Sequence, residues 1–403
     1  MTSPTALRQR ARRAIDDHRA ELIALSLSLH REPEIGYQEH RSAAKLATFL
    51  ERNGFAVQRG YRDVETAYRG DAIGTGAGPT VAILSEYDAL PDIGHACGHN
   101  LIAMMGTAAA IGVRAVLDEL PGRLAAIGTP AEEGGGGKVA LVRAGGFEDV
   151  DIAMMCHPAA RTLSGRTSLA SNRVDLEFTG KAAHAAAQPD RGINALDGVI
   201  QTFNNVNAMR QQLRPEARIH GIISSGGSAA NIIPEYAMAK FSVRALDRRY
   251  QQEVLKRFIA CAEGAATATG TKLKITVHEN SAYENMVPSQ PLAERWAEHM
   301  RAMGQQVQTT LDDERMGSTD MGNVSQILPA IHPYIGVVAE GTPSHSAAFR
   351  DAAGTPEAHE AALFAAKAMA LVTIDVLAEP ALVAQATAYF EERRRQGVVK
   401  GKA

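Results

Sequence analysis

Cysteine is scarce in this sequence. Three thiols, Cys97, Cys156 and Cys261, occur among 403 residues. That is too few for a disulfide framework, and no Cys-x-x-Cys pair is present for redox exchange. A reducing compartment suits such a chain, and any one of the thiols is available as a ligand or nucleophile. An excess of charge of one sign is also missing. Lys and Arg number 42 against 45 Asp and Glu, a net charge of −3, which excludes a basic nucleic-acid binder and a polybasic membrane patch. No apolar run is read as long enough to span a bilayer, and there is no internal repeat or long linker. The first residues lack the apolar core of a signal peptide. Arg8, Arg10, Arg12 and Arg13 have the charge of a transit peptide, but Asp16 and Asp17 follow at once and transit peptides are acid-poor, so a surface helix is expected there. These absences leave a cytoplasmic enzyme with a small-molecule partner, and no nucleic acid or membrane.

Hydrophobic residues make up 45% and charged residues 22%, ordinary for a globular protein whose length suits two domains. Helical spacing at Ile15, Leu22, Leu25 and Leu29 predicts a helix over 14–31 that stops at Pro33. Helices are also expected at 39–55 and 100–120. The short apolar runs "TVAILSEY", "RLAAIGTP" and "VDIAMMCHP" read as buried strands. Strands alternating with helices predict an α/β layer with a mostly parallel sheet. Near residue 171 the period changes. "NRVDLEFTGKAAH" alternates with Val174, Leu176 and Phe178 on one face, and the order β-α-β-β-α-β follows. This predicts a ferredoxin-like α+β domain over 171–283, inserted into an α/β domain formed by 1–170 and 284–403.

Chemistry-bearing residues gather at predicted strand ends, where open α/β sheets carry their sites. "SEYDALPDIGHACGHN", "TPAEEGGGGK", "CHP" and "TPSHSAAF" deliver Asp88, Cys97, His99, Glu132, Glu133, His157 and His345 from four separate strands. Thiolate and imidazole are good ligands for first-row metals, although a Cys-x-His pair alone is a weak signal that leaves a local structural role, and a cysteine nucleophile after it, open. Adjacent Glu132 and Glu133 repel unless a cation or shared proton sits between them. The glycines beside them suggest a phosphate loop, but Glu132 occupies the place of its first glycine and Val139 the place of its Ser/Thr. One glutamate as metal ligand and the other as general base fits better. In the inserted domain, His184 suits a donor to a developing oxyanion, Asn231 is a second polar candidate, and Arg244 suits a two-point grip on a carboxylate. Asp320 is a further loop carboxylate.

The combination of "HREPEIGYQEH", "HACGH", "PAEEGGGG", the His after a third strand, "GKAAHAA" and the late "SHSAAF" resembles the aminoacylase/carboxypeptidase family of two-metal peptidases, peptidase family M20, and within it the amidohydrolase subfamily. "EYDALPDIGHACGHN" and "GSTDMGNVSQILPAIHPY" are similar to the Xaa-Arg (β-alanyl-lysine-type) dipeptidase and aminobenzoyl-glutamate hydrolase branches. The resemblance implies a zinc-aminopeptidase-like α/β/α catalytic domain with a lid domain that also dimerises. It implies two divalent ions per subunit, zinc or manganese first, with cobalt and nickel accepted by the same ligands. Cys97, His99, Glu133, His157 and His345 would hold them. Glu132 would be the general base, Asp88 would support a ligand, and His184 would reach the partner subunit's active site. Asn231 and Arg244 would contact substrate. The implied activity is hydrolysis of the amide bond in a dipeptide or N-acyl amino acid with a free carboxylate, by a homodimer of such subunits. An aminobenzoyl-glutamate-type or N-acyl amino acid deacylase is the alternative. A non-catalytic metal-binding scaffold is the alternative of another class. Two departures stand out: Asn100 replaces an Asp common in the subfamily, and Glu86 stands where more distant relatives place a histidine ligand.

Overall fold

The computed structural model describes residues 3–311 and 316–402, and these divide into two compact units. The first takes the chain up to Thr167, resumes at Met286 and continues from Asp320 onward; the second is Ser168–Asn285 with Met316–Thr319. The sequence pattern places that last short piece with the first unit instead.

Six strands precede the insertion: β1 (Ala56–Arg59), β2 (Tyr68–Ile73), β3 (Thr80–Ser85), β4 (Arg123–Gly128), β5 (Ile152–Met154) and β6 (His157–Ala159). Four lie within it: β7 (Ala170–Thr179), β8 (Arg218–Ser225), β9 (Tyr236–Ala245) and β10 (Lys272–Val277). Two follow: β11 (Ala330–Ile331) and β12 (Tyr334–Gly336).

In the first unit the main sheet has the order β1-β2-β4-β3-β5-β11. The four strands β4, β3, β5 and β11 are parallel, as continuous apolar runs buried on both faces should be. The expectation of a mostly parallel sheet misses an antiparallel edge, β1 and β2, because "AVQR" is only four residues long and Arg69 and Asp71 interrupt the apolar run of "YRGDAI". The run "VDIAMMCHP" is not one strand. It breaks after Met154, and β6 leaves the main sheet to pair with β12. That break places His157 at the start of a second, two-stranded sheet.

The predicted helix over 14–31 is two helices, Pro4–Asp17 and Arg19–Arg31. His18 interrupts them: its Nδ1 bonds the Ala14 carbonyl at 2.9 Å, and its backbone leaves the helical region. Two other helices, His99–Leu117 and Pro356–Ala378, are long and apolar enough to cross a membrane by length and composition, which corrects the expectation that no such run exists. Both are Ala-rich and buried, and they pack on each other as the core of this unit. Their small side chains bury a helix on most of its circumference.

The second unit is a four-stranded antiparallel sheet of order β10-β7-β9-β8. Helices Ala195–Met209 and Arg248–Thr269 cover the face that carries Val174, Leu176 and Phe178, all fully buried. Asn194 and Asp247 cap the two helices, their side chains accepting from Leu196 N and Tyr250 N. The fold is ferredoxin-like.

Candidate metal centre and catalytic residues

Loops after β3, β4, β5 and β12 bring all seven residues expected in the first unit to one place. The ligand atoms of Cys97, His99 and His157 lie within 4.8 Å of one another, and so do those of Cys97, Glu133 and His345. The two sets share the Cys97 sulfur. A third set joins His99 with Glu132 and Glu133.

Local backbone geometry explains how these side chains converge. Gly98 turns the chain at φ 75° between Cys97 and the helix that begins at His99. A Cβ there would lie 2.6 Å from Pro158 Cγ, so any side chain at this turn forces its neighbours to shift. Ala131, just before the paired glutamates, has φ 56°, and His345 has φ 60°. Positive φ at a residue with a side chain costs of order 1–3 kcal/mol and persists where the surroundings enforce it. Here Glu39 Oε1 accepts from Ala131 N at 2.8 Å, while Gly135 and Gly136 donate to the Ala131 carbonyl at 3.1 and 2.8 Å. His345 N donates to the Ala96 carbonyl at 3.0 Å, tying its loop to the "HACGHN" segment.

Hydrogen bonds then orient the donors. Asp88 Oδ1 lies 3.0 Å from His99 Nδ1, and Asp88 Oδ2 accepts from Glu133 N at 2.9 Å. One carboxylate thus fixes two candidate ligands, the role outer residues play in metal sites. With Nδ1 tied to Asp88, His99 directs Nε2 inward; that atom is buried and has no hydrogen-bond partner among the described residues. His157 Nδ1 is tied to the Pro158 carbonyl at 2.7 Å, so its Nε2 also faces Cys97. His345 Nε2 lies 3.1 Å from Glu133 Oε1.

The electrostatics follow from burial and crowding. Burial, then Glu86, Glu133 and Asp320, push the Glu132 carboxyl well above its usual range, which suits a general base. Glu133 is held low despite burial, because His345 and His99 favour its anion. Against burial, the Asp88 carboxylate raises His99 well above the usual imidazole range; a divalent ion would displace that proton. Burial pushes the Cys97 thiol up to about 12 despite His99. A bound cation would deprotonate it. The donor set of one shared thiolate, three imidazoles and a carboxylate, with buried His99 Nε2 left unpartnered, fits a pair of divalent ions.

Two residues of "HACGHN" have other work. His95 is buried and stacks on His30 at 6.4 Å between ring centroids. Asn100 donates to Ser26 Oγ at 3.0 Å and to the Ala353 carbonyl at 2.9 Å, bonds that an aspartate could not donate. Lys138 is a site residue that sequence reasoning misses. Its side chain is fully buried between Glu86 Oε1 at 2.5 Å and Asp320 Oδ1 at 2.7 Å. A lysine beside four glycines gives no sign of burial in the sequence, so no local signal points to it.

His184, Asn231 and Arg244 lie in the second unit. His184 is exposed, and its Nδ1 accepts from Ala186 N and Ala187 N, both at 3.2 Å. That fixes the tautomer and leaves Nε2–H as a donor. Ala185 N donates to the Asn231 carbonyl at 3.0 Å, so the loops carrying His184 and Asn231 are joined. Arg244, on β9, donates from Nε to Ser242 Oγ at 3.0 Å.

Comparison with known proteins gives the family. The family model for peptidase family M20/M25/M40 matches residues 82–369. The chain is 39% identical over 392 residues to the Xaa-Arg dipeptidase of Mus musculus, covering 94% of this chain and 90% of that one. It is 29% identical over 445 aligned positions to a p-aminobenzoyl-glutamate hydrolase polypeptide of Escherichia coli K12, covering 92% of each. A solved structure of a dinuclear metal-binding M20 peptidase from Bacillus subtilis superposes with a TM-score of 0.68 at 20% identity, covering 90% of this chain and 99% of that one. The chain belongs to peptidase family M20/M25/M40 and is a metal-dependent hydrolase of peptide-type amide bonds.

Proposed function

We propose that this hydrolase cleaves a dipeptide or N-acyl amino acid that carries a free carboxylate. Cys97, His99, Glu133, His157 and His345 hold two divalent ions, zinc or manganese by ligand type, with cobalt and nickel compatible. When bound, such ions polarise a carbonyl and lower the pKa of water to about 7. Glu132 takes the proton from the attacking water and returns it to the leaving amine. Asp88 keeps His99 and the Glu133 backbone in register. His184 donates Nε2–H to the developing oxyanion, from its own chain or a partner's, and Asn231 holds the substrate beside it. Arg244 grips the carboxylate. The working state is a homodimer in the cytoplasm.

The observation that carries this reading is Glu132, a buried carboxylate with raised proton affinity, in one ligand-atom group with His99 and Glu133. Glu132→Gln should keep both ions and lose about 10²- to 10⁴-fold in kcat; turnover at the wild-type rate overturns the assignment. A panel of Xaa-Arg, Xaa-Lys and β-alanyl dipeptides, N-acyl amino acids and p-aminobenzoyl-glutamate, read by mass spectrometry, fixes the substrate. A second reading, an amine-side residue with two carboxylates, has one observation in its favour. Arg218 lies directly opposite Arg244 across β8 and β9, on the same face of the sheet.

A further inference from the structure

Glu86 bears on the centre only as a charge beside Glu132 and a partner of Lys138. It follows the end of β3 and is fully buried. Its Oε1 is on Lys138 Nζ at 2.5 Å. Its Oε2 is buried and has no hydrogen-bond partner among the described residues. That orphaned oxygen faces another orphan, His99 Nε2, at 3.5 Å. With Nδ1 tied to Asp88, Nε2 is the ring atom left to face Glu86. Two buried ligand atoms with no other partner, held that close, frame a place for one cation. The gap is also the spacing of two neighbouring ligands on one ion with bonds of about 2.1 Å.

We propose that Glu86 Oε2 is a ligand of the divalent ion held by His99, and that Lys138 is the positioning residue that aims it. The inference rests on the two-metal reading above. The neighbouring acid, Asp320, is excluded by its own bonds: Oδ1 takes Lys138 Nζ at 2.7 Å and Oδ2 takes Lys138 N at 2.9 Å. Glu86 has one oxygen engaged and one to give. Lys138 is fully buried and spans the two carboxylates, so it occupies the place a further cation would take in the Glu86, Glu132 and Asp320 group. Glu132 belongs both to that group and to the one with His99, which makes the acid cluster continuous with the metal centre.

The test is Zn(II) binding by equilibrium dialysis with metal analysis, on the wild-type chain, Glu86→Gln, Glu86→His and Lys138→Met, with melting curves to check folding. The wild type should take two ions per chain. Glu86→Gln keeps the shape of the side chain and a neutral contact to Lys138; it should hold one ion as before and the other at least about tenfold more weakly. Glu86→His restores a ligand and should recover the second ion. Lys138→Met should weaken the same ion and leave the other unchanged. Two ions bound to Glu86→Gln with wild-type affinity overturn the assignment while leaving the two-metal reading intact. A wild-type chain that takes up no ion overturns both. If Glu86→Gln does not fold, a crystal structure of the Zn(II)-loaded wild type decides: Glu86 Oε2 within about 2.3 Å of an ion supports the assignment, and beyond about 3 Å overturns it.

Discussion

Cys97 Sγ lies 3.6 Å from His157 Nε2, although 60 residues separate them. The two meet because β5 ends at Met154 and β6 starts at His157, beside the turn at Gly98. One sulfur therefore belongs to both ligand sets. Cys97→Ser should lower the affinity for both ions, by about tenfold or more each, rather than for one alone. Metal titration of the variant checks this; selective loss of a single ion would contradict a shared thiolate. Chelation should abolish turnover, and a cysteine alkylating agent should act slowly on the loaded enzyme, since a sulfur held by a cation is not a free thiolate.

The Gly98 turn makes a separate demand. Gly98→Ala adds a Cβ 2.6 Å from Pro158 Cγ at φ 75°. It should cost about 1–3 kcal/mol of stability and loosen metal binding as well, because both neighbours of the turn are proposed ligands. A stability loss in denaturant melts with unchanged metal affinity would show that the turn only supports the fold.

Arg244 is the residue proposed to hold the substrate carboxylate. Arg244→Ala should lower kcat/KM by roughly 10- to 100-fold on acidic-ended substrates, the worth of a charge-assisted hydrogen bond. The same variant should be almost indifferent to amidation of that carboxylate, which the wild type should not tolerate. Equal sensitivity to amidation in both proteins would remove Arg244 from this role.

Asp375 sets a pH dependence far from the metal centre. It is buried, with His299 at 2.7 Å, Arg295 at 2.8 Å and Arg8 at 2.6 Å. Burial raises its carboxyl, but His299, Arg295 and Arg8 outweigh that and hold it below the usual range. A carboxyl lowered on folding contributes stability above its unfolded pKa, near 3.9, and loses that contribution as pH falls through the folded value. Asp375→Asn should cost about 1–3 kcal/mol near neutral pH, discounted because the two Arg side chains are partly open to solvent. The difference from wild type should shrink below about pH 4. Melting curves of both proteins across the acid-to-neutral range check this; a constant difference throughout would rule out the ion cluster as its source.

The candidate ligands and the candidate base were legible in the sequence because metal chemistry restricts them. Cys97, His99, Glu132, Glu133, His157 and His345 are residue types with few other reasons to stand at strand ends beside glycines. The strands themselves were legible where they are buried on both faces, as in β3 and β4, since continuous apolar runs carry a strong signal. The alternation in β7 revealed the change of layer near 171 for the same reason. By contrast β1, four residues long, and β2, interrupted by Arg69 and Asp71, left no such trace.

The rest was settled by contacts between distant segments. Whether a lysine is buried depends on which carboxylates surround it, and Glu86 and Asp320 come from widely separated parts of the chain to enclose Lys138. The break that sends β6 to a second sheet depends on β12, a late strand that sets Tyr334 against His157 and Ile335 against Pro158. Donors follow from chemistry and elements from periodicity, and both are local properties of a sequence. Orientation, as in the Asp88 bond that turns His99 Nε2 toward Glu86, needs two side chains from separate positions in one place, and only the tertiary structure supplies that.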